Sequence, residues 1–131
     1  IIGIAGLHHS LKWLDAFGIQ NIHTKEQKLL KLFLDGIKGL PIKIAGGESA
    51  ENRVGIVSID FSEFMDNAEA GAALEEKYGI LTRCGLHCSP SAHKSIGTFP
   101  QGTVRFSTGP FTIEEEIETA IRAVKELCSR A

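Results

Sequence analysis

The chain has 131 residues, 14 Lys and Arg against 16 Asp and Glu, a net charge of −2 with histidines neutral, and 43% hydrophobic residues. That length supports one domain around one core, and a charge near zero excludes a general nucleic-acid binder, which carries a basic excess. No apolar run approaches the ~20 residues of a membrane helix, and 23% charged residues among many Leu and Ile exclude wholesale disorder.

The first predicted helix runs over 6–17, with Leu7, Leu11, Leu14 and Phe17 on one stripe and Gly18 where a C-cap glycine belongs. A second helix is predicted over 25–37. Thr24 and Gln27 have capping-box spacing, Leu30, Phe33, Leu34 and Ile37 recur at helical period, and Gly36, Gly39 and Pro41 end it. Residues 42–44 suit a short edge strand. The alternation of Val57, Ile59 and Phe61 with Ser58 and Asp60 predicts a strand over 53–61. A third helix is expected over 67–78, with Asp66 as N-cap, Glu69 at N3 and Gly79 beyond its end. A short strand follows at 80–83. The stretch 84–102 shows neither period and reads as a long functional or mobile loop. Thr103 to Ser107 is a strand with Val104 and Phe106 on one face and Arg105 on the other. The last helix covers 113–128. Thr112 and Glu115 have capping-box spacing, Glu114 to Glu116 suit its positive end, and Ile113, Ile117, Ala120, Ile121, Val124 and Cys128 form its buried stripe. This order predicts an α+β fold: a small, mostly antiparallel sheet with helices packed on one face.

Three cysteines do not make a disulfide scaffold, and an odd count fits a reducing compartment. Ile1-Ile2-Gly3 lacks the basic start of a signal peptide. Without an initiator Met, the chain reads as a processed or excised piece of something longer.

Arg83-Cys84-Gly85-Leu86-His87-Cys88-Ser89-Pro90 places two thiols, an imidazole and a guanidinium at a strand end. Three readings compete. Cys84, His87, Cys88 and His93 are zinc-ligand types, although the spacing lacks two separated knuckles. Cys84 and Cys88 alternatively fill space as small apolar groups, which suits Cys84 better than Cys88. The third reading makes Cys88 a reactive thiol, its thiolate favoured by His87 and Arg83. Other candidates fall away. Gly97 to Thr103 has phosphate-loop glycine spacing but lacks the Lys and leads into a strand. His8-His9 suits a surface or interface. Nothing in the pattern desolvates Lys94 for Schiff-base chemistry.

The same residues carry a family resemblance. Arg83-Cys84-Gly85-Leu86-His87-Cys88 resembles the R-x-G-x-H-C motif of SufS-like cysteine desulfurases, in the class V aminotransferase family of pyridoxal-phosphate enzymes. Gly102-Thr103-Val104-Arg105-Phe106-Ser107 resembles the family's strand with the substrate-carboxylate arginine, and Phe111 to Ile117 resembles the opening of its last helix. Gly3-Ile4-Ala5-Gly6-Leu7 resembles the start of the long helix leading into its small domain.

The resemblance implies that Cys88 is the nucleophile that takes sulfur from L-cysteine, leaving alanine and a Cys88 persulfide. It implies that Arg105 grips the substrate carboxylate, with Arg83 as a second active-site arginine and His87 as nearby support. It further implies that residues 1–131 are the C-terminal small domain of a longer two-domain enzyme, inactive alone. Pyridoxal phosphate would be bound mainly by the absent large domain, with no cofactor-binding or metal residues in this chain. The whole enzyme is expected to be a cytoplasmic homodimer acting on an amino acid and passing sulfur to an acceptor protein, with no nucleic-acid or membrane partner. The alternatives are a class V aminotransferase or lyase domain without sulfur transfer, and a non-enzymatic thiol or zinc module.

Overall fold

A computed structural model describes residues 1–129 of the chain. Its elements in order are α1 (Ile2–Phe17), α2 (Ile19–Ile37), β1 (Lys43–Ala45), β2 (Ile56–Asp60), α3 (Asn67–Tyr78), β3 (Arg83–Gly85), α4 (Pro90–Ile96), β4 (Thr103–Ser107) and α5 (Glu114–Cys128). The four strands form one antiparallel sheet in the order β1-β2-β4-β3. The expected α+β architecture is present.

The sheet's alternation decides where the core sits. Val57, Ile59, Val104 and Phe106 point to one face and are buried there with Phe61. Against them pack Leu29, Leu30, Phe33, Leu34 and Ile37 of α2, Leu74 of α3, and Ile117, Ile121, Val124 and Leu127 of α5. Helices α2 and α5 approach closely at Gly36, where an added Cβ would fall on the Ile121 side chain. Gly36 therefore lies inside α2 as a contact glycine and does not end the helix. Its role was invisible locally because the partner is distant in sequence.

Helix α2 also starts earlier than expected. Nothing after Gly18 (φ +90°) interrupts helical backbone, so the chain resumes at Ile19. Thr24 is thus interior, its hydroxyl donating to the Gln20 carbonyl at 2.9 Å. Gln27 donates instead to the Arg53 carbonyl. At α5 the capping pair is displaced by one residue: the Ile113 N–H donates to Glu116 Oε2 at 3.0 Å, while the Thr112 hydroxyl accepts from the Gly109 N–H at 3.0 Å. Ile113 is consequently exposed and leaves the apolar stripe.

Helix α3 matches its expected bounds. Asp66 accepts from the N–H groups of Ala68 and Glu69, and Gly79 (φ +66°) closes the helix in the left-handed region. The Ile80 N–H then bonds back to the Leu74 carbonyl at 3.1 Å. That bond back to the helix occupies Ile80, and β3 begins only at Arg83, later than the expected 80–83.

The stretch 84–102 is not a continuous loop. It contains the end of β3 and all of α4, bounded by Pro90 at the helix start and Gly97 (φ +73°) at its end. The proline and glycine are the ordinary punctuation of a helix. The missing signal was an apolar stripe, because α4 buries only His93.

Cys128 is buried in α5, as its apolar spacing predicts, and burial raises its thiol pKa. Above about pH 8.5, where an ordinary thiol ionises, the unfolded chain loses this proton before the folded one does. Stability contributed by the protonated thiol is therefore present below that pH and declines as pH rises through the raised folded value. Urea midpoints across the alkaline range should fall less in Cys128→Ala than in the parent chain. Parallel curves would contradict the assignment.

Candidate functional site

Strand register builds the site on the face opposite the core. Ala45 lies opposite Ser58, Ser58 opposite Arg105, and Arg105 opposite Arg83, one row across all four strands. Two guanidinium-bearing residues thus face each other directly on β3 and β4. Like charges so placed destabilise a sheet, and among the described residues neither arginine pairs with a carboxylate. The Arg105 Nε is buried without a hydrogen-bond partner, as is the Thr103 hydroxyl two residues earlier on the same face. Such an arrangement is suited to a shared anion, above all a planar carboxylate that a guanidinium fork can grip through two N–H groups.

β3 leads directly into the turn Leu86-His87-Cys88-Ser89, closed by a 2.8 Å bond from the Ser89 N–H to the Leu86 carbonyl. Its two central residues have positive φ, +50° at His87 and +59° at Cys88, the signature of a type I′ turn. Glycine and asparagine adopt that conformation readily, whereas other side chains cost about 1 kcal/mol or more each. The surroundings therefore hold the turn in place. His87 Nε2 donates to the Arg83 carbonyl at 3.0 Å. The rings of His87 and His93 lie 5.8 Å apart, tilted by 30°. His93 Nδ1 in turn lies 2.7 Å from the Thr98 hydroxyl in a buried hydrogen bond. Cys88, at the centre of this turn, is exposed.

The three thiols separate by position. Cys84 lies opposite Val104, so its side chain is on the core side of the sheet, where its Sγ occupies the space a Cβ on Gly71 would need. It packs there on α3, although it remains solvent-accessible. Cys128 belongs to the α5 core, and Cys88 alone projects from a turn. Among the described residues no three His, Cys, Asp or Glu side chains converge as metal ligands. Cys84 is turned to the opposite side of the sheet from the Arg83–Arg105 row. Lys94 sits over the Phe99 ring at 4.9 Å, and Lys43 Nζ reaches the carbonyls of Ile96 and Gly97.

Two supporting residues have no obvious sequence signature. Asn67 is buried at the start of α3. Its Oδ1 accepts from the Phe61 N–H at 2.9 Å, and its Nδ2 donates to Asp60 Oδ1 at 3.0 Å and the Gly102 carbonyl at 3.2 Å. It joins the ends of β2, α3 and β4, yet in sequence it resembles one more polar residue beside an N-cap. Gly102 (φ +73°) lies against β3 so closely that a Cβ would fall on the Gly85 backbone. A cavity of about 450 Å³ opens elsewhere, between α2, α5 and the end of β4, and is bordered by none of Arg83, Cys88 or Arg105.

Comparison with known proteins matches residues 1–119 to the aminotransferase class-V family. The chain belongs to that family. Among its class-V relatives, a probable cysteine desulfurase of Pyrococcus abyssi is 30% identical over 125 residues, covering 95% of this chain and 30% of that protein. A probable cysteine desulfurase of Methanothermobacter thermautotrophicus is 30% identical over 131 residues, covering 97% and 32% respectively. The apo structure of a cysteine desulfurase from Thermococcus onnurineus superposes with a TM-score of 0.83 at 27% identity, over 92% of this chain and 29% of that one. An Escherichia coli cysteine desulfurase shares the fold at a TM-score of 0.80 and 23% identity, over 95% of this chain and 29% of its own. The chain thus spans about 30% of the length of these class-V relatives.

Proposed function

We propose that this class-V chain is the small C-terminal domain of a longer cysteine desulfurase. The observation that carries the reading is the pair of opposed arginines, Arg83 on β3, which leads into the strained turn bearing Cys88, and Arg105 on the neighbouring β4. A carboxylate held between the guanidiniums relieves their repulsion and gives the buried Arg105 Nε a charged partner. An amino acid gripped at that end presents the rest of its body to a nearby thiol.

Cys88 is the sulfur acceptor in this reading. Its thiolate attacks the sulfur of L-cysteine, an S–S bond forms, and the substrate's C–S bond breaks. The outer sulfur stays on Cys88 as a persulfide. The carbon fragment keeps the bonding electrons, takes up a proton and leaves as alanine. One cysteine and one thiol thereby give one alanine and one persulfide, with no external oxidant. Pyridoxal phosphate, when bound, supplies the electron sink for this C–S cleavage. The chain's donor set fits the substrate end of such a site: two guanidiniums without a carboxylate partner among the described residues, and an exposed thiol. Its lysines at 43 and 94 are engaged with carbonyls and an aromatic ring. In this reading the cofactor-holding groups lie mainly in a large domain outside this chain.

Helix α1 supports the two-domain reading. None of its residues is buried, and Leu7 and Leu11 of its expected apolar stripe remain 60% and 56% exposed. A large domain of the same polypeptide accounts for that uncovered face. The full-length protein is proposed to be a cytoplasmic homodimer that delivers its sulfur to an acceptor protein. No helix among the described residues is long and apolar enough to cross a membrane.

The carboxylate clamp is tested in the full-length polypeptide. Arg105→Ala should lower kcat/KM for L-cysteine on the order of 10- to 100-fold, mostly through KM, because charge-assisted hydrogen bonds are worth about 1.5–3 kcal/mol. Arg105→Lys keeps the charge but loses the fork and should fall between. Unchanged kcat/KM in Arg105→Ala would refute the clamp.

A further inference from the structure

The single side chain buried by α4 is a histidine, and it lies behind the turn that carries the thiol. His93 is 5% exposed, whereas the rest of α4 is exposed. Its Nδ1 is bonded to the hydroxyl of Thr98, itself buried, and the Thr98 N–H closes back on the His93 carbonyl at 2.9 Å. The ring is therefore fixed at both ends of its own segment. Against it lies the ring of His87, which is held in turn by the Arg83 carbonyl. The resulting chain of contacts runs from Thr98 through His93 and His87 to Arg83, the residue opposite Arg105. His87 and Cys88 are the two positive-φ residues of the turn, and neither is glycine.

We propose that His93 is a positioning residue for Cys88: anchored on Thr98, its ring backs His87 and keeps the 86–89 turn in the left-handed conformation that presents the thiol. A histidine suits the task because one ring nitrogen takes the anchor while the flat face takes the neighbouring imidazole. Phenylalanine keeps the face and loses the anchor. The proposal rests on the reading of Cys88 as the sulfur acceptor only for its turnover consequences.

The test uses the full-length enzyme. His93→Phe should lower kcat for alanine formation from L-cysteine on the order of tenfold or more, since small displacements of a reacting group are costly. KM should stay near the parent value because the arginines are untouched. Alkylation of Cys88 by iodoacetamide, followed on its own peptide by mass spectrometry, should slow while that of Cys84 is unchanged. A second-site change separates positioning from general destabilisation. Glycine adopts positive φ without help, so adding His87→Gly to His93→Phe should recover most of the lost alkylation rate and kcat. If His93→Phe fails to fold, Thr98→Val removes the same anchor at nearly constant volume and should behave alike. A parental kcat and Cys88 alkylation rate in a folded anchor variant would overturn the proposal, as would a loss that His87→Gly does not recover. Should the parent enzyme release alanine without a Cys88 persulfide, the sulfur-acceptor reading fails, and the alkylation rates with glycine rescue still decide the role of His93.

Discussion

Replacing Cys88 by alanine in the full-length enzyme should reduce alanine formation from L-cysteine by several orders of magnitude, as expected when a covalent nucleophile is removed. Absorbance of the bound cofactor should be unaffected, because Cys88 lies in an exposed turn and no core residue depends on it. Cys84→Ala should retain most activity, since that thiol packs on α3 at Gly71 on the other side of the sheet. The contrast between the two variants follows from one feature of strand geometry. Cys84 is within β3, where alternation sends it toward the core side, while Cys88 is beyond the strand and free of that alternation. Parental turnover in Cys88→Ala would remove sulfur transfer through this thiol and favour an aminotransferase or lyase role.

The largest expected effect on stability is at Gly102. Its backbone has φ +73°, and a Cβ there would fall on the carbonyl group of Gly85, which is main chain and unable to move aside as a side chain would. Left-handed backbone and overpacking each cost about 1–3 kcal/mol. Gly102→Ala should therefore lose roughly 2–5 kcal/mol, a large part of the stability of a domain this size. The urea midpoint of the chain measures this loss, and the slope should be preserved if the folded state stays compact. The same change pushes β3 from β4 and disturbs the opposition of Arg83 and Arg105. A midpoint equal to that of the parent chain would show that the two strands separate freely at this point.

Elements governed by neighbouring residues were readable from the sequence. α3 begins and ends as expected because Asp66 and Gly79 act on the backbone beside them. β4 is as expected because Val104 and Phe106 alternate with Arg105 around a half-buried sheet. Cys128 is buried because six apolar neighbours share its helix face. What failed depended on distant partners. Gly36 resembled a helix stop, and only the approach of Ile121 explains it. α4 was hidden because its one buried residue is polar, satisfied by Thr98 rather than by an apolar stripe.

The candidate site divides in the same way. The types of its residues, a loop thiol near arginines and histidines, were legible at once. Their arrangement was not. The opposition of Arg83 and Arg105 is set by register between strands joined through α4. Positive φ at His87 and Cys88 runs against their intrinsic preference and is imposed by tertiary contacts. His87 stands beside the thiol in the sequence, and only the structure shows its Nε2 bonded to the Arg83 carbonyl, a contact that braces the turn.

The most direct test of the sulfur-acceptor assignment is the mass of the Cys88-containing peptide. The full-length enzyme would be given L-cysteine in the absence of reductant and any sulfur acceptor, then trapped with an alkylating agent and digested. One added sulfur atom on Cys88, in step with one alanine released per active site and absent from Cys84 and Cys128, is the predicted result. Alanine released while Cys88 remains an unmodified thiol would contradict it.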